Sequence, residues 1–192
     1  MSRIKEKFWL DSGSAALVII DAQEKLAPAM DTALYQQLLL NSELLIEGFQ
    51  AMNLPIIATE QYPKGLGNTV PELKRGTDQA CIEKVAFSCC GEENFVAALE
   101  KTGARQVVIT GMETHVCVFQ TVLDLLDRGY VVHLVRDAVA SRFVSDYENA
   151  ISTAARAGAV ITTTEMALFQ LVKVAGGDAF KTVSKLVRRR TP

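Results

Sequence analysis

The chain has 192 residues, with 20 Lys+Arg against 22 Asp+Glu for a formal net charge of −2, and 49% of its residues are hydrophobic. That is enough apolar material for one ordinary domain, taken here as residues 1–192, and no basic footprint for nucleic acid. The longest strictly apolar run, Ala15 to Ile20, is far short of the roughly 20 residues a membrane span needs, so no membrane partner is expected.

The opening Met1 to Ser14 carries charges throughout and lacks an apolar signal-peptide centre, which predicts a soluble, cytoplasmic protein. Ala15-Ala-Leu-Val-Ile-Ile20 reads as a strand buried on both faces. Leu34, Leu38, Leu45, Phe49 and Met52 recur at helical spacing before Pro55, and Pro55 to Thr59 is a second buried strand. A polar loop with Pro63, Gly65, Gly67 and Pro71 leads to a third strand over Cys81 to Val85. Glu92 to Lys101 reads as a helix closed by Gly103, and Gln106 to Thr110 as a fourth strand. Thr114 to Arg128 is an amphipathic helix with Val118, Val122, Leu125 and Leu126 on one face and Gly129 at its end. Val131 to Val135, a helix from Asp146 to Ala157, a strand from Ala159 to Thr162, and a capping box at Thr162-x-x-Glu165 complete the pattern. Alternating strands and helices predict a three-layer α/β/α fold with a six-stranded parallel sheet.

Ligands of such a sheet sit beyond the carboxyl ends of its strands, so the residues that follow each strand are the candidates: Asp21, Thr59-Glu60-Gln61, Lys84, Gly111 to Cys117, and Asp137. A carboxylate ending an apolar strand is tolerable beside a cation such as Lys84. Cys117 falls near the start of the helix that Thr114 is expected to cap, where backbone N–H groups favour an anion, and a depressed thiol pKa is expected. Each residue also has a plainer reading: a core cysteine, a turn-forming aspartate, a solvated lysine. Their joint placement points to nucleophilic chemistry.

Three stretches carry a resemblance. Ala16-Leu-Val-Ile-Ile-Asp-Ala-Gln23, Lys84-Val-Ala-Phe-Ser88 and Val108-Ile-Thr-Gly-Met-Glu-Thr-His-Val-Cys-Val118 resemble the signature stretches of the isochorismatase-like cysteine hydrolases. The resemblance implies a Rossmann-like topology with strand order 3-2-1-4-5-6 and a catalytic triad of Asp21, Lys84 and Cys117. It further implies a cis peptide at Met112–Glu113 and an oxyanion hole from the Glu113 and Cys117 amides. Gln23, Gln61, Tyr62, Phe87 and His115 become candidate substrate contacts. Family members commonly associate, so a homo-oligomer acting on a small-molecule substrate is expected.

Nicotinamidases of this family bind a metal through an aspartate and histidines after strand two. The matching stretch here, Thr59-Glu-Gln-Tyr-Pro-Lys-Gly65, has no histidine, so no metal and no other cofactor is expected. The cysteine favours amide or related C–N hydrolysis through a thioester. Two alternatives stand beside it: a vinyl-ether-type hydrolase with Asp21 as acid, and a catalytically silent binding protein. Elsewhere, Gly65-x-Gly67 lacks the third glycine of a dinucleotide site. His133 reads as a satisfied core histidine, Cys89-Cys90 as small apolar residues, Asp137 as a loop-fixing group, and Lys185 to Arg190 as a solvated helix end.

Overall fold

The computed structural model describes residues 3–74 and 81–190. After a short helix, α1 (Arg3–Phe8), every side chain of β1 (Ala15–Ile20) is buried, as an apolar run without alternation requires. β1 pairs in parallel with β2 (Ile56–Gln61) on one side and β4 (Gln106–Met112) on the other. With β3 (Ile82–Lys84), β5 (Val131–Ala140) and β6 (Val160–Thr162), the described residues form a six-stranded parallel sheet in the order β3-β2-β1-β4-β5-β6. This is the expected fold class and strand order.

The pleat of β1 divides two cores. Leu17 and Ile19 face α2 (Thr32–Ala51), α8 (Thr164–Val172) and α9 (Gly177–Val187), where Leu38, Leu45, Phe49, Leu168 and Leu186 are buried. Ala16, Val18 and Ile20 face α5 (Glu93–Lys101), α6 (Phe119–Asp127) and α7 (Val144–Ala157), through Phe95, Leu99, Val122, Leu125 and Ala154. Two short helices, α3 (Pro63–Leu66) and α4 (Pro71–Lys74), occupy the polar loop after β2. Among the described residues no helix is long and apolar enough to cross a membrane.

Several local expectations are corrected. β5 runs five residues past Val135, because its register against β4 jumps from Ile109↔Leu134 to Gly111↔Val139. The bulged backbone is satisfied by side chains from elsewhere: Thr110 donates to Ala138 O, and Asn41 Nδ2 to Asp137 O at 2.6 Å. Asp137 therefore lies within a strand instead of on the rim. Its Oδ1 accepts from Thr164 N and Oγ1 at 2.8 and 3.0 Å, and its Oδ2 pairs with Arg190 at 2.8 Å. Helix α8 is capped by Thr163, whose hydroxyl accepts from Met166 N, while Thr162 stays in β6. The arginine tail is not simply solvated, since Arg189 pairs with Glu43 and Glu47 and Arg190 also reaches Glu165. His133 is fully buried, yet neither ring nitrogen has a hydrogen-bond partner among the described residues, and burial pushes its pKa down to about 4.

Candidate active site

The site begins where β1 stops. Asp21 adopts a left-handed conformation (φ 48°), which aspartate tolerates better than most residues, and its N–H donates to Thr59 O at 3.2 Å. Beside it, Gly111 has φ 127°, and a Cβ there would stand 2.0 Å from Ile20 O; only glycine lets β4 pass the end of β1 this closely.

Leaving the strand at Asp21 interrupts the β1–β2 ladder, and the Gln23 side chain takes over from it. Gln23 Oε1 accepts from Gln61 N at 2.7 Å, and its Nε2 donates to Gln61 O and Gly67 O at 3.0 and 2.7 Å. Gln61 in turn donates through Nε2 to Val85 O and accepts at Oε1 from Lys84 Nζ at 2.6 Å. Both side chains are buried and bonded to other groups of the chain, which gives them a scaffold role at the site.

Lys84, the last residue of β3, is buried. Nζ lies 2.7 Å from Asp21 Oδ2 and also donates to Ala86 O and Phe87 O at 3.0 and 2.8 Å. Four oxygens thus compete for three N–H bonds. Gln61, Ala86 and Phe87 share the ammonium with Asp21 Oδ2, and charge as well as contact holds the Asp21–Lys84 pair. Thr59 Oγ1 donates to the other carboxylate oxygen at 2.7 Å.

Cys117 lies in the turn after β4, 5% exposed, so it is sheltered but reachable. The turn Thr114–Val118 is a π-helical opening to α6 in which Val118 N donates to Glu113 O at 3.2 Å, and the Met112–Glu113 peptide is cis. Thr114 does not cap it: its hydroxyl is buried without a hydrogen bond among the described residues. Thr121 ties the turn to its neighbour, donating to Cys117 O at 2.7 Å and accepting from Cys89 N at 2.9 Å.

The electrostatics reverse one expectation. Burial, with the Asp21 charge adding to it and Lys84 pulling the other way, pushes the Cys117 thiol up to about 12. A helix start does not outweigh desolvation beside a carboxylate, so the resting thiol keeps its proton. Burial also raises Asp21 above the ordinary carboxylate range, opposed by the Lys84 charge and by its interactions with Thr59 and Cys117. Cys89, fully buried in contact with Thr59, is pushed up to about 12 by the same desolvation.

The structure brings Asp21, Lys84 and Cys117 together and leaves Tyr62 and Phe87 exposed on the rim, Tyr62 in a left-handed conformation (φ 37°). His115 is partly buried, with Nδ1 3.0 Å from Ser141 Oγ. Arg142 Nε donates to Glu113 Oε2 at 2.7 Å, so the segment after β5 grips the turn that carries Cys117 at two points. Thr59, a candidate from its place at the end of β2, is the residue that bonds Asp21; Ser141 and Arg142 were not singled out from sequence, because no periodicity marks a loop residue that bonds across the fold. Among the described residues no cluster of three His, Cys, Asp or Glu side chains is placed to hold a metal.

Residues 15–166 match the isochorismatase domain family. The chain is 38% identical over 172 residues to isochorismatase domain-containing protein 1 of Salmo salar, covering 90% of this chain but only 60% of that protein's length. Among solved structures it resembles the MAR1 ribonuclease of Caenorhabditis elegans (38% identity, TM-score 0.88, 96% of this chain and 94% of that one). It also resembles the YcaC protein of Escherichia coli, an octameric hydrolase of unknown specificity (27% identity, TM-score 0.87, 93% and 89%).

Proposed function

The chain belongs to the isochorismatase family, and on that premise we propose that it is a cysteine-dependent hydrolase that cleaves an amide or related C–N bond of a small molecule. The observation that carries this reading is the buried Asp21–Lys84 pair, 2.7 Å apart, with the Cys117 thiol interacting with the same carboxylate. The Asp21 carboxylate, paired with Lys84 and interacting with the thiol, takes the thiol proton. Because the thiol is protonated at rest, attack and proton transfer go together: Sγ bonds to the carbonyl carbon as the S–H proton passes to Asp21, and the carbonyl electron pair moves onto its oxygen. The Glu113 and Cys117 amides receive that oxyanion, a contribution of about 3–4 kcal/mol for each donor in comparable sites. Asp21 then gives its proton to the leaving nitrogen as the C–N bond breaks. Water attacks the thioester, losing its proton to Asp21, and the proton returns to sulfur as the acid leaves. Lys84 stays a cation throughout.

Tyr62 and Phe87 on the rim suit a substrate with an apolar part, and His115 stays a candidate contact. The octameric E. coli relative supports a homo-oligomer. One hydrolase domain over residues 1–192, in the cytoplasm and without metal or cofactor, completes the reading.

A second reading, RNA cleavage, is supported by the description of the C. elegans relative. A net charge of −2 and an aromatic rim weigh against it, since phosphate backbones are held chiefly by cations. A panel of small amides, carbamoyl compounds, hydroxamates and single-stranded RNA separates the two, with the wild type beside Cys117→Ala and Cys117→Ser. The amide reading predicts turnover of a small acyl compound, an acyl adduct on the Cys117 peptide, and loss of both in Cys117→Ala. Full activity in Cys117→Ala overturns it.

A further inference from the structure

Lys84 presents a problem of control. A buried ammonium between a carboxylate and a thiol could surrender a proton to either, yet the chemistry above needs it to remain a charge. We propose that Gln61 is the positioning residue that makes Lys84 a fixed cation, and that Gln23 holds Gln61 in that role; the inference rests on the reading of Asp21, Lys84 and Cys117 as one unit.

The geometry supports it at each link. Gln61 Oε1, at 2.6 Å, is nearer to Nζ than any of its other oxygens. Together with Ala86 O and Phe87 O it surrounds the ammonium with neutral acceptors, which hold Nζ 2.7 Å from the carboxylate and stabilise its charged form. The amide cannot rotate away, because Nε2 is fixed on Val85 O at 2.7 Å. Nor can the Gln61 backbone shift: its N–H and C=O both end on the Gln23 amide, which stands in for the ladder that Asp21 abandons. The two buried amides therefore link the left-handed turn that aims Asp21 to the loop that aims Lys84.

The test needs no substrate. Alkylation of Cys117 by iodoacetamide is followed on its own peptide by mass spectrometry between about pH 7 and 9, where rate tracks the thiolate fraction. Gln61→Glu places a second carboxylate against Nζ, so the cation is shared and the thiolate is disfavoured. Its rate–pH line should lie about tenfold lower, one unit of pKa. Gln61→Met, which removes the acceptor without adding charge, should lower the line about threefold in the same sense. A purely structural role would lower the melting temperature without displacing the line. Folded Gln61→Glu and Gln61→Met proteins on the wild-type line overturn the inference; should Gln61→Glu not fold, Gln61→Met decides alone. Lys84→Met is run alongside. If its line is also unmoved, the three-residue unit itself falls; if it is displaced while both Gln61 variants are not, only the role of Gln61 is refuted.

Discussion

Two places in the sheet bury an ionisable group at the same depth and treat it in opposite ways. At the carboxyl ends of β1 and β3, Asp21 and Lys84 form an ion pair 2.7 Å apart, surrounded by Thr59, Gln61 and two loop carbonyls. In the middle of β5, His133 is equally inaccessible, and neither ring nitrogen has a hydrogen-bond partner among the described residues. Desolvation acts on both. Where partners oppose it, an acid and a base stay paired inside the protein; where none does, the group is held neutral.

The largest effect should come from breaking the compensated pair. Lys84→Met keeps the aliphatic stem and removes the cation, leaving Asp21 with burial alone, which drives it toward its protonated form. Turnover on the best substrate from the panel should fall at least about a hundredfold, as expected when a positioned acid–base group is disabled. The fold should persist, checked by circular dichroism and melting, because a protonated Asp21 avoids leaving a lone buried charge. A Lys84→Met protein that retains near-wild-type turnover would reduce Lys84 to a structural strand end.

The contrast also marks how far sequence patterns reach. Ala15 to Ile20, the α2 repeat and the strand–helix alternation are local, and each was legible because burial imposes a period on neighbouring residues. The positions of Asp21, Lys84 and Cys117 follow from that frame, since each ends a strand or begins the turn after one. What was not legible depends on partners remote in the chain. Val135 looked like a strand end because the polar Arg136 and Asp137 follow it; Asn41 and Thr110 satisfy the bulge that carries β5 onward. Helix position suggested an acidic Cys117 thiol, but burial and the Asp21 charge, both tertiary, set it high. His133 looked satisfied because nothing local announces that a buried ring lacks partners.

The uncompensated group gives the next largest effect. With its folded pKa lowered to about 4, His133 is neutral in the folded protein while the unfolded chain takes up a proton below about 6.5. Its contribution is therefore fully present above that pH and is lost as pH falls toward 4, to a total of about 3 kcal/mol at 1.36 kcal/mol per unit. Urea unfolding from about pH 7.5 down to 4 should show this slope in the wild type and a flatter one in His133→Leu. Asp21 acts with the opposite sign. Its raised folded pKa means that the folded state binds a proton first, a contribution present at low pH and lost as pH rises through the folded value. Asp21→Asn should therefore steepen the acid loss that His133→Leu relieves. Parallel slopes in wild type and both variants would mean that neither group titrates differently on folding.

The smallest effect tests an intermediate case, the ion pair that Arg190 makes with Asp137. Here the guanidinium is 29% exposed, and Asp137 keeps two hydrogen bonds from Thr164 whatever happens to the arginine. Partial exposure screens the charge, and the surviving bonds leave no orphaned carboxylate. Arg190→Gln should therefore cost no more than about 1 kcal/mol, read as a fall in melting temperature of about 2–4 °C, with the iodoacetamide rate–pH line of Cys117 unchanged. Raising the salt concentration should shrink the difference between wild type and variant. A loss several times larger would place Asp137 with Asp21, as a carboxylate that depends on its cation, and the line drawn here between compensated and self-sufficient carboxylates would have to move.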